Sequence, residues 1–261
     1  MDIKVLSSKD NKLSFVLKDA NSVFANTLRR VLIAELPIMA IKRVTFAKNT
    51  STLFDEIIAH RLGMLPLVTD LDSYVLPEKC SCKGAGCAKC QVVFTLKAEG
   101  PITVYASDLK SQDQKVKTVY GEMPIVQLLK DHELEFEAVA TLGTGKEHAK
   151  YNAGLAFYKG YPKITIDKVR NVDDVAESCP VDVFEVQKQQ LKVKDAEKCI
   201  LCNACVEMND PPGGLVVEPS EKDFIFYIES YGKMSAKEMV ARALDILDQK
   251  VEELEAVLEK V

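Results

Sequence analysis

Eight cysteines are the residues of this chain best suited to chemistry, and they fall into two sets of four. The first set reads Cys80-x-Cys82-x4-Cys87-x2-Cys90 and encloses Gly84 and Gly86. Thiolates are the ligands of zinc and of iron–sulfur clusters. So short a loop suits one tetrahedral ion, and the glycines give its backbone the freedom to wrap it. Zinc is the favoured occupant; a disulfide pair and an empty reduced loop are the alternatives. The second set is divided between two stretches that overlay on each other. One is Val169-x-x-Val172-x-x-Val175-x-x-x-Cys179-Pro180, the other Cys199-x-x-Cys202-x-x-Cys205-x-x-x-Asn209. Pro180 lacks a backbone donor and fixes its own φ, so the chain turns rigidly just after Cys179.

Both stretches resemble the C-x2-C-x2-C-x3-C-P run of bacterial ferredoxins. There, three close cysteines hold one cubane and the remote Cys-Pro ligates the other. The first copy here has valine at its three close positions and keeps the remote cysteine; the second keeps three and has Asn209 as its fourth. Because ligation crosses between copies, these losses erase one site whole and leave Cys179, Cys199, Cys202 and Cys205 for a single [4Fe–4S] cluster. Zinc and disulfides are the competing occupants, but C-x2-C-x2-C suits the corners of a cube better than two paired zinc knuckles. The substituting valines can fill the vacated space by apolar packing.

The rest of the chain sets the context. At 261 residues it is long enough for two or three domains, and 47% hydrophobic with 28% charged residues is ordinary for a soluble globular protein. No apolar run of membrane length and no signal-peptide pattern occurs, so a cytoplasmic setting is expected. Eight cysteines there favour metal ligation over structural disulfides. A net charge of −5 argues against a free-standing nucleic-acid binder. Residues 1–61 nevertheless carry ten Lys/Arg against six Asp/Glu, a mildly basic quarter that could face an acidic partner or be scattered solvated charge.

The elements that must position the cysteines follow from periodicity. Ile3 and Val5, then Leu13, Phe15 and Leu17, alternate on either side of Asp10-Asn11, predicting a hairpin. A helix capped by Asn21 or Ser22 presents Phe24, Leu28, Val31 and Leu32 and ends before Pro37. A second helix is predicted from Ser51 or Thr52, with Asp55 and Glu56 in its first turn, Leu53, Ile57 and Ile58 as its stripe and Gly63 as its stop. Strands are predicted around Val92–Leu96, Ile102–Val104, Leu134–Ala138, Leu155–Phe157, Ile164–Ile166 and Phe224–Ile228. The cluster-binding stretch closes at Pro211-Pro212-Gly213-Gly214. Ser235 and Glu238 form a capping box for a final helix running to Lys260. In it Val240, Leu244, Leu247, Val251, Leu254 and Leu258 make a heptad seam about 39 Å long. Its cover is either the chain's own core or a partner chain.

Three further segments carry a resemblance. Asn26-Thr27-Leu28-Arg29-Arg30-Val31-Leu32 with Glu35-Leu36-Pro37-Ile38-Met39-Ala40 resembles the N-terminal helix of the alpha-like subunits of cellular RNA polymerases. His60-Arg61-Leu62-Gly63-Met64-Leu65-Pro66-Leu67 resembles the segment after their second helix, and Gly143–Tyr151 a loop of the archaeal and eukaryotic branch. With the ferredoxin-like insert, the resemblance is to the D subunits of archaeal RNA polymerases and spans nearly the whole chain. It implies an α+β fold in three parts. A dimerisation domain is built from both chain ends, 1–46 and 215–261; an inserted, mainly-β domain, 47–166, carries the Cys80–Cys90 loop; and 167–214 binds the cluster. It also implies an assembly role: pairing with the small subunit L through the terminal helices and docking the two large catalytic subunits. Arg29, Arg30, His60 and Arg61 would lie near those docking surfaces or be solvated helix ends. The Cys loop resembles the zinc loop of eukaryotic relatives with one extra residue in its middle spacing.

Two functional classes compete. One is a non-catalytic scaffold of DNA-directed RNA polymerase in transcription, the other a ferredoxin-like electron-transfer or redox subunit. A relay wants a second cluster or a dinucleotide site, and no G-x-G-x-x-G occurs. With three histidines and no aspartate-rich loop for Mg²⁺, no catalytic constellation stands out, so nucleotide addition is expected in a partner. Neither a membrane nor sequence-specific nucleic acid is expected as a partner.

Overall fold

A hairpin opens the chain, as its alternation requires. In the computed structural model, which describes residues 1–9 and 11–259, β1 (Asp2–Lys9) lies beside β2 (Lys12–Lys18). Asp10 of the expected turn lies outside the described residues. Leu13, Phe15 and Leu17 are buried, whereas Ile3 and Val5 on the edge strand are exposed. Helix α1 (Ser22–Ala34) is capped by Asn21, whose Oδ1 accepts from the Phe24 amide at 2.7 Å.

After α1 come β3 (Ile38–Asn49) and α2 (Asp55–Met64). Helix α2 starts later than the sequence suggests. Asn49 and Ser51 instead form a local turn, with the Ser51 amide on Asn49 Oδ1 and the Leu53 amide on Ser51 Oγ. Nor does Gly63 stop the helix. It lies inside, and the chain leaves at Leu65, held in the extended region by Pro66. Ile58 is fully buried, but Ile57 is nearly half exposed.

The strands that follow are β4 (Gln91–Glu99), β5 (Ile102–Tyr105), β6 (Lys110–Ser111), β7 (Pro124–Leu128) and β8 (Glu133–Gly143). Next, β9 (Gly154–Ile166) is one continuous strand where two were expected. Then come α3 (Val172–Glu177), β10 (Phe184–Gln187), β11 (Gln190–Val193), α4 (Ala204–Met208), β12 (Leu215–Ser230) and α5 (Ala236–Leu258). The result is a mixed α/β chain.

Two compact units emerge. The first gathers Met1–Ser8, Leu13–Thr27 and Phe157–Tyr227. Its strands belong to a sheet of order β1-β2-β12-β9, with Phe15 stacked on Phe226 at 5.2 Å. The second gathers Lys9–Lys12, Leu28–Ala156 and Ile228–Val261. It contains the antiparallel sheet β3-β8-β4-β6, whose apolar face buries Met39, Ile41, Phe94 and Phe136 with Ile58 and Leu62 of α2. Among the described residues, no helix is long and apolar enough to cross a membrane.

Candidate metal centres and docking helices

The Cys80–Cys90 loop folds around its own sulfurs. A single 3-10 turn, Pro77–Lys79, delivers Cys80, and the Lys83 and Ala85 amides bond back to the Cys80 and Cys82 carbonyls at 2.9 and 3.1 Å. Gly84 and Gly86 take φ of 82° and 91°, the left-handed region that the tight wrap demands. The Cys80–Cys87, Cys80–Cys82 and Cys82–Cys90 sulfurs stand 3.5 Å apart and Cys87–Cys90 3.8 Å. All four lie within 4.8 Å of one another. A tetrahedral ion with metal–sulfur bonds near 2.3 Å sets its ligand edges at about 3.8 Å, so the four thiols could bind one metal ion.

Hydrogen bonding with Cys80 and with the Gly86 amide brings the Cys82 thiol down to about 6, whereas burial pushes Cys90 up to about 12. A cation would relieve the second cost by stabilising the thiolate. All eight cysteines are free thiols.

Three cysteines of the second set, Cys179, Cys199 and Cys205, belong to or pack against one apolar core in the first unit. Cys199 and Cys205 are buried and Cys179 half-buried; Cys202 is exposed. Val175 is fully buried in that core, and Val169 and Val172 pack against it. The Cys205 thiol is pushed up by burial first and then by the charges of Cys179, Cys199 and Cys202. The Val183 amide donates to Cys179 Sγ and the Leu201 amide to Cys199 Sγ, both at 3.4 Å. Leu201 adopts φ of 59°, a conformation costly for a branched side chain, and that backbone holds the amide on the sulfur. Asn209 is buried with its Oδ1 unpartnered and its Nδ2 on the Pro211 carbonyl at 2.8 Å.

The residues expected near docking surfaces belong to the second unit. On α1, Arg29 is half-buried and Arg30 exposed; on α2, His60 and Arg61 are exposed, with Arg61 Nη1 donating to the Ile125 carbonyl at 2.7 Å. The Gly143–Tyr151 loop packs against the end of α1, where the Lys146 amide donates to the Ala34 carbonyl at 2.9 Å. A Cβ at Gly145 would meet the Ile33 carbonyl oxygen at 2.4 Å, so only glycine permits this approach.

Helix α5 is capped by Ser235, whose Oγ accepts from the Glu238 amide at 3.1 Å. Its buried residues are Ala236, Met239 and Ala243. The heptad seam lies on another face. Val240 and Leu247 are half-buried, while Leu244, Val251, Leu254 and Leu258 are 37, 55, 59 and 63% exposed. Lys260, the expected end of the helix, lies outside the described residues.

Sequence reasoning did not single out Lys159 and Lys233, which hold backbone carbonyls, or Lys250, which holds the Glu35 carboxylate. Nothing in their sequence neighbourhood distinguishes them from surface lysines, because their partners are remote in the chain.

A family model described as the RNA polymerase Rpb3/RpoA insert domain matches residues 43–167. The chain is 41% identical to the DNA-directed RNA polymerase subunit Rpo3 of Methanosphaera stadtmanae, over 97% of each chain. It is 37% identical to that of Methanosarcina acetivorans, over 100% of this chain and 99% of the relative. For the Archaeoglobus fulgidus protein of the same name, identity is 39% over 100% and 98%. Identity of this level along the entire length, with the insert domain matched in place, means that the chain belongs to the archaeal DNA-directed RNA polymerase subunit Rpo3 family, the alpha-like D subunits.

Proposed function

We propose that this chain is a non-catalytic assembly subunit of DNA-dependent RNA polymerase, active in transcription by bringing other subunits together. The observation that carries the reading is the exposed seam of α5. Leu244, Val251, Leu254 and Leu258 present apolar surface that this chain leaves uncovered. A row of leucines and valines at heptad spacing is stable in water only when a second helix packs against it. The partner for that face is the small subunit L. The two large catalytic subunits dock on surfaces that include Arg29, Arg30, His60 and Arg61. The functional division follows the chain: 1–46 with 215–261 as the dimerisation domain, 47–166 as the inserted domain and 167–214 as the cluster-binding domain.

Cys179, Cys199, Cys202 and Cys205 hold one [4Fe–4S] cluster, and Cys80, Cys82, Cys87 and Cys90 one zinc ion. Three thiols at one apolar core with a fourth, Cys202, open to solvent, and two of the set already accepting amide hydrogen bonds, suit a cubane, whose ligands bind separate irons and so stand farther apart than those of a single ion. Bound metal contributes directly to the folding of small inserts such as this one, so loss of the cluster under oxygen would weaken polymerase assembly. The electron-carrier alternative gains no support from a chain with one cluster and a polymerase relationship along its length.

Anaerobic expression with the polymerase subunits, followed by iron, sulfide and zinc analysis, tests the reading. About four irons, four sulfides and one zinc per chain are expected in the assembled enzyme. Replacing Cys202 and Cys205 by serine should reduce recovery of the full enzyme. Undiminished recovery with an ordered insert would remove the cluster from assembly.

A further inference from the structure

We infer that Lys159 is the positioning residue for the Cys199 end of the cluster-binding set, and that its charge tunes the cluster. The inference rests on the iron–sulfur reading above. Lys159 stands on β9, and its Nζ donates to the Glu197 carbonyl at 2.8 Å and to the Cys199 carbonyl at 2.6 Å. The turn that delivers Cys199 is otherwise slight. It is a single 3-10 turn, Ala196–Lys198, started by Asp195 Oδ1 accepting from the Glu197 amide at 3.1 Å and closed by the Cys199 amide on the Ala196 carbonyl at 3.1 Å.

A turn of three residues has few bonds of its own to resist fraying. Lys159 ties it to a strand of a four-stranded sheet. Charge-assisted hydrogen bonds to the part-buried carbonyls of Glu197 and Cys199, on either side of Lys198, fix the peptide plane that follows Cys199, and with it the direction of Sγ. The Lys159 ammonium also lies over the Tyr227 ring, 5.6 Å from its centroid, which restricts the side chain to this approach. Lys4 reaches the same turn from β1, pairing with Glu197 Oε1 at 3.0 Å, but it holds a side chain rather than the backbone.

The second consequence is electrostatic. Cluster potential follows local charge and hydrogen bonding. A half-buried ammonium on the carbonyl of a ligand favours the more negative, reduced state, so Lys159 raises the potential.

The test compares the anaerobically purified full chain with Lys159→Met, Lys159→Gln, Lys159→Arg and Lys4→Met. Iron and sulfide per chain, the rate of cluster loss in air and the midpoint potential are measured. Lys159→Met is expected to lose its cluster several-fold faster and to have a lower potential. Lys159→Gln keeps a donor without the charge and should retain its cluster at a lowered potential. Lys159→Arg should restore both properties, and Lys4→Met should match the unaltered chain. Unaltered retention and potential in both neutral Lys159 variants would overturn the inference while leaving the cluster in place. Absence of iron and sulfide from the unaltered chain would overturn the cluster reading and this inference together.

Discussion

Glu35, just past the end of α1, is paired with Lys250 of α5, so one ion pair joins early and late segments of the chain within the second unit. Lys146 reaches the same carboxylate at 2.9 Å, tying in the Gly143–Tyr151 loop. Burial alone would raise the Glu35 pKa. The two ammonium groups outweigh it and hold the carboxyl below its usual range. A depressed folded-state value stabilises the fold above the unfolded carboxylate pKa, and that contribution is lost as pH falls through the folded value. Glu35→Gln should therefore cost about 1 kcal/mol at neutral pH, and the difference from the unaltered chain should shrink below about pH 4. Urea unfolding at the two pH values measures it.

The two faces of α5 should respond differently to substitution. Met239 is fully buried, and Met239→Ala should cost about 2–4 kcal/mol through the cavity it leaves. Leu254→Asp alters a residue that is 59% exposed. It should change the stability of the isolated chain by no more than about 0.5 kcal/mol. Denaturant midpoints of the two variants separate the covered face from the uncovered one.

Lys233 buries a charge. Its Nζ donates to the Lys150 and Asn152 carbonyls at 2.6 and 3.0 Å, yet burial brings its pKa down to about 8. Between that value and the unfolded lysine range, near 10.4, the unfolded chain binds the extra proton. Stability contributed at this site should consequently rise with pH from about 8 to about 10. Lys233→Met should abolish the rise, which a series of unfolding curves across that interval would record.

The Cys80–Cys90 loop should be ordered by its metal. Chelation, or Cys87→Ser, is expected to release one ion per chain and to expose the loop amides to hydrogen exchange, while α2 and β8 stay protected. Mass-resolved exchange before and after chelation checks this; a loop equally protected without metal would contradict it.

Much of this fold was legible because local rules and tertiary packing agree. Asn21 and Ser235 cap the helices that their side chains announce, and the alternation at Leu134, Phe136 and Ala138 becomes β8. The hairpin of β10 and β11 was not read. Its turn places Lys188 and Gln189 at φ of 51° and 59° without the Asn or Gly that normally marks such a turn. Gly63 misled because a glycine inside a helix resembles a stop, whereas Pro66 sets the true end. The cysteine spacing marked the Cys80–Cys90 loop, whose four thiols come together in the fold. It could not reveal Lys159, forty residues before the carbonyl of Cys199 that it holds.

The most direct measurement is sedimentation of this chain, purified anaerobically, alone and with an equal amount of subunit L. The expected result is a one-to-one complex that Leu254→Asp and Val251→Asp dissolve while each variant stays folded. A chain that remains monomeric beside subunit L, or seam variants that bind it as tightly as the unaltered chain, would contradict the assembly role.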